Sequence, residues 1–149
     1  MKDIRRLIET FVKIWDNHKE ELEDKYKKEL PSSYQNIVKE VFEMINEHHE
    51  DYSDEYEKPD PERMTVIDHG DYQGTQLFIV AADNYQPSLF WRVFVSYGSC
   101  SGCDTLEGIK SEGNHWEDDY KPTEQQVKDV MSLALHILQN IKSFGAWDD

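Results

Sequence analysis

Basic residues are scarce in this chain: 16 Lys and Arg stand against 31 Asp and Glu, a net charge of −15. A direct binder of the phosphate backbone needs the opposite balance, so nucleic acid is excluded as a primary ligand. Cysteine is scarcer still. Cys100 and Cys103 are the chain's two cysteines, too few for a disulfide framework, and they read as free thiols of a reducing compartment. Long apolar runs are missing too: none approaches the roughly 20 residues of a membrane span. Met1-Lys2-Asp3-Ile4-Arg5-Arg6 lacks the apolar core of a signal peptide. The expectation is a soluble, cytoplasmic protein with no membrane contact.

What is present suffices for one hydrophobic core: 149 residues, 38% of them apolar. Ile4, Leu7, Ile8, Phe11, Ile14, Trp15 and Leu22 recur at helical spacing and predict a helix over 2–30, which Pro31 stops. Ser32 and Gln35 have capping-box spacing before a second apolar stripe of Tyr34, Ile37, Val38, Val41, Phe42 and Ile45. The short link between them makes an antiparallel helix pair over 2–48. His48 or His49 could continue the second stripe, and beside the acids that follow the pair reads as a solvated helix end, with an acidic loop over 49–63 after it.

Segments 64–68, 76–82 and 89–97 are rich in Val, Ile, Phe and Trp and are separated by turn residues, which predicts an antiparallel meander within 64–98. The third segment is apolar on both faces, with Trp91, Val93, Val95 and Tyr97 on one and Phe90 and Phe94 on the other. It should therefore lie well inside the fold. Arg92 reads as an edge or ion-paired charge. Asp104 and Glu107 cap a short helix over 105–110, within a cysteine-bearing segment over 99–112. A second acidic, aromatic loop spans 113–122. Thr123 and Gln126 open a terminal helix over 123–144 that packs on the sheet, and Gly145 ends it. The expected fold is a single α+β domain: a three-stranded antiparallel meander packed by a C-terminal helix, with an N-terminal antiparallel helix pair.

Chemistry has few places to reside. Cys100-x-x-Cys103 can supply half of a tetrahedral zinc site, with His69 and His115 as the candidate completing ligands, but neither forms a ligand-pair motif. A redox role for Cys103 beside a helix start is opposed by Asp104, because nearby negative charge raises a thiol's pKa. No Lys or Arg lies between Tyr97 and Ile109, so the glycines there lack the cation of a phosphate cradle. Asp68, His69 and Asp71 sit at a strand end, where Asp with Gly is ordinary hairpin chemistry. Gly98, Gly102, Ser99 and Ser101 likewise account for the cysteine loop as a tight turn.

The runs Asp71-Tyr72-Gln73-Gly74-Thr75, Tyr85-Gln86-Pro87-Ser88 and Tyr97-Gly98-Ser99-Cys100-Ser101-Gly102-Cys103-Asp104-Thr105-Leu106 resemble a group of small uncharacterised bacteriophage proteins. The resemblance covers the middle and back of the chain. It implies a phage origin and a bacterial host cytoplasm, and it implies no reaction. It also implies a mode of action in which a small acidic protein binds and blocks a host protein, its carboxylates standing in for a nucleic-acid backbone.

The charge distribution permits this. Residues 31–63 carry ten acids against three bases and residues 99–149 ten against four. The expected function is thus a non-enzymatic interaction protein that needs no cofactor and engages a basic host protein. Glu50, Asp51, Asp54, Glu55, Glu57, Glu117, Asp118 and Asp119 would steer the partner, with Tyr52, Tyr56 and Trp116 as anchors. The alternative is a small-molecule or zinc site between the two Tyr-Gln turns and the cysteine loop, lined by Asp68, Tyr72, Gln73, Cys100, Cys103 and Asp104.

Overall fold

The computed structural model describes residues 4–53, 58–70, 74–97, 105–111 and 121–145. The chain begins with α1 (Ile4–Lys28) and α2 (Tyr34–Tyr52). On α1 the buried positions Phe11, Ile14, Trp15, Leu22 and Tyr26 fall at the three-, four- and seven-residue offsets of one helical face. Ser33, one residue later than the expected cap, accepts a 3.2 Å bond from the Asn36 amide and starts α2. The helices are antiparallel, since Lys25 of α1 meets Glu40 of α2 while the earlier His18 meets the later His48. Ile37, Val38, Val41, Phe42 and Ile45 of α2 are wholly buried.

Among the described residues the sheet has four strands, not three: β1 (Pro59–Gly70), β2 (Gly74–Ala82), β3 (Leu89–Tyr97) and, after the helices α3 (Thr105–Lys110) and α4 (Glu124–Gln139), β4 (Lys142–Gly145). Their order is β1-β2-β3-β4 and every pairing is antiparallel. The meander expectation holds for the first three. The terminal helix is shorter than expected because Asn140 caps it, its backbone N–H reaching carbonyls at His136, Ile137 and Leu138. The chain then turns to the free edge of β3, where Phe90 pairs with Phe144 and their rings stack at 5.4 Å. Helical spacing carried Phe144 into the expected helix. An unpaired strand edge, invisible in local sequence, claims it instead.

β1 also begins earlier than expected, at Pro59. A proline lacks the N–H of a ladder bond, yet β1 is an edge strand and its register shifts between Pro59 and Met64, so Pro59 and Pro61 are tolerated. Arg63 holds this irregular stretch, pairing with Asp60 at 3.3 Å and donating to the carbonyls of Ala82 and Asn84.

One sheet face carries the core. Phe78, Val80 and Ala82 of β2 and Trp91, Val93 and Val95 of β3 alternate inward, and Phe11 of α1 lies 6.3 Å from the Trp91 ring. The opposite face is open, which corrects the reading of β3 as buried on both sides: Phe94 is 58% exposed and Ile67 50%. Arg92 lies on this face at 5.9 Å from the Phe94 ring and 6.0 Å from that of Phe144. α4 packs against α1, α2 and α3 rather than mainly on the sheet. Its start has both bonds of the Thr123/Gln126 capping box. Gln126 also donates to the Ile109 carbonyl at 3.0 Å, and the Leu106 amide donates to the Tyr34 hydroxyl at 3.1 Å, tying α3 to α4 and α2.

Candidate functional site

Two histidines interrupt the apolar stripes of α1 and α2. His18 falls between Trp15 and Leu22, and His48 continues the face begun by Val41 and Ile45. Where the helices meet, the two imidazoles stack with centroids 3.5 Å apart and planes 5° from parallel. The Glu21 carboxylate lies across both, 2.7 Å from His48 Nε2 and 3.6 Å from His18 Nδ1. Tyr52, one turn beyond His48, places its hydroxyl 2.9 Å from His18 Nε2. The imidazoles are largely covered, at 24% and 13% exposure, while Glu21 is 53% exposed. The solvated helix end expected here is thus a packed polar cluster, and the neighbouring His49 is 1% exposed.

Among the described residues, His18, Glu21 and His48 form the one group whose ligand atoms could serve a single metal ion, all lying within 4.8 Å of one another. A hydrogen-bonded carboxylate between two imidazoles can also hold and pass a proton.

A row of exposed carboxylates runs beside this cluster. Glu43, Glu47 and Glu50 are spaced four and three along α2 and share one helical face, and exposed Asp51 follows. The nearby cations are engaged: Lys58 meets Glu50 at 3.3 Å and Lys39 meets Glu62 at 3.7 Å. Deeper in the hairpin, Glu40 is held above the usual carboxylate range because burial disfavours its charge more than Lys25, 3.7 Å away, favours it. Burial likewise pushes the Tyr26 hydroxyl up.

Of the residues assigned to partner binding, Glu50, Asp51 and Tyr52 form the last turn of α2, not a loop, and Tyr52 belongs to the histidine cluster. Asp54, Glu55, Tyr56, Glu57, Trp116, Glu117, Asp118 and Asp119 lie outside the described residues, as do Tyr72, Gln73, Cys100, Cys103 and Asp104 of the alternative pocket and His115. Asp68 is on β1 and accepts a 3.2 Å bond from Gln76 across the hairpin, a strand-pair role. A groove between α1 and α4 is lined by Trp15, Val127, Met131 and Leu135 together with Lys19 and Lys128, and none of the residues expected to line a pocket contributes to it.

No family model, curated protein or solved structure matches the chain. Function therefore has to be read from the site itself. No described helix is long and apolar enough to cross a membrane.

Proposed function

We propose that this is a non-enzymatic interaction protein of the small acidic phage type, which engages a basic protein, such as a host protein that itself holds nucleic acid, through the anionic surface of α2. The observation that carries the reading is the exposed row Glu43, Glu47, Glu50 and Asp51, which leads in sequence into Asp54, Glu55 and Glu57. Lys39 and Lys58 offset Glu62 and Glu50, and with ten acids against three bases over residues 31–63 the field that remains is negative. Such a field raises the encounter rate with a basic surface and repels nucleic acid itself.

An affinity pull-down from bacterial lysate, run at low and high salt, tests this. A basic partner should be retained at low salt, released steeply as salt rises, and displaced by double-stranded DNA. The Glu43→Gln/Glu47→Gln/Glu50→Gln protein should lose it while keeping a wild-type far-UV spectrum. Retention by that variant, or no partner at either salt, would count against the reading.

A further inference from the structure

We propose that His18, Glu21 and His48 form a binding site for a borderline divalent transition-metal ion of the Zn2+ class, one that clips α1 to α2. The inference is independent of the partner reading. It begins with where the donors come from: two lie on α1, one turn apart, and the third on α2, thirty residues on from His18. Only the antiparallel docking of the hairpin brings them together.

Spacing and donor chemistry agree. Two ligands each about 2.0–2.2 Å from one ion lie roughly 3–3.5 Å apart. Glu21 Oε2 stands 3.6 Å from His18 Nδ1 and 2.7 Å from His48 Nε2, on either side of that range. Two imidazole nitrogens and one carboxylate oxygen suit Zn2+, Co2+ or Ni2+, whereas Ca2+ and Mg2+ call for oxygen throughout. Three protein ligands leave a position for water, and the half-exposed Glu21 gives the ion a way in.

Tyr52 supplies the outer support that metal-bound histidines require. With the His18 proton on Nε2, that nitrogen donates to the Tyr52 oxygen at 2.9 Å. Nδ1 then keeps its lone pair, directed to the side where Glu21 sits. Metal binding selects this tautomer, because the opposite one carries its proton on Nδ1, the atom that faces Glu21 and would hold the ion.

Loading requires one movement. The rings are parallel, so an ion in the plane of one lies outside the plane of the other. His48, whose hydrogen bond goes to Glu21 itself, turns about its soft Cβ–Cγ torsion, and the ion takes the place of the His48 proton.

The test uses the full chain with Cys100→Ser and Cys103→Ser, so that thiolates cannot supply the signal, titrated with ZnCl2 by calorimetry and equilibrium dialysis. One Zn2+ per chain is expected, together with a higher unfolding temperature. Adding Tyr52→Phe should weaken binding roughly 10–100-fold. Glu21→Gln, a surface change that leaves the helices intact by circular dichroism, should weaken it by at least about tenfold, since a first ligand costs no less than its support. In the same protein Co2+ should give a d–d absorption band that disappears with His18→Gln/His48→Gln. No stoichiometric Zn2+ in the serine variant, or an affinity unmoved by both Glu21→Gln and the histidine pair, would overturn the proposal.

Discussion

At the scale of the residue, Glu40 shows how burial and pairing compete. Its folded-state pKa is raised, so the ionised carboxylate is worse off in the fold than in the unfolded chain. Below the ordinary carboxylate range Glu40 is protonated in both states and imposes no charge penalty. As pH rises through that range toward the folded value, stability is lost. Glu40→Gln keeps the shape without the charge. Its unfolding temperature should therefore gain on that of wild type as pH goes from 4 to 7; a constant difference would show that Lys25 fully offsets the desolvation. His18 and His48 illustrate a related point. A helical stripe tolerates a polar residue when the facing stripe offers one at the same level, and these two rings bury each other.

At the scale of the element, β4 decides how the sheet ends. Residues 142–145 add a strand to β3, and Phe144 is fixed by the Phe90 ring and the Arg92 guanidinium. Phe144→Ala should cost about 1–2 kcal/mol, the value of an aromatic pair plus part of its buried area. The loss should appear as faster hydrogen exchange at residues 90–92, with α1 and α2 unaffected. Uniform loss of protection across the molecule would mean that β4 unfolds only with the whole. Most elements were legible in the sequence, because α1, α2 and α4 have a 3.6-residue period and two have capping residues, while β2 and β3 are β-branched and aromatic between turns. β4 was not. Four residues carry no period, and Ile141 and Phe144 fit a helix equally well until the edge of β3 is in place.

At the scale of the whole molecule, the charge of −15 works against compactness. The excess carboxylates fall in residues 31–63 and 99–149, whereas those of α1 are balanced by its lysines and arginines, so self-repulsion within the acidic segments is relieved when salt screens them. The unfolding temperature should rise by roughly a few degrees between 20 mM and 300 mM NaCl at pH 7.5. A flat or falling response would show that the paired lysines already neutralise the surface. The candidate cluster was partly legible at this scale. A hairpin counted outward from its turn at residues 32–33 sets 25 opposite 40 and 18 opposite 47, one residue short of His48, which is the residue that meets His18. Neither histidine carries a ligand motif, and that count gains meaning only once the two stripes are known to face each other.

The sequence by itself determined the acidity, the helical hairpin, the central strands and the capping of the last helix, because each rests on composition or on neighbours a few residues apart. Tertiary structure alone decided the fourth strand, the open face of β3 and the meeting of His18, Glu21, His48 and Tyr52. These depend on which surfaces and edges remain once distant segments have docked, and no local period encodes that.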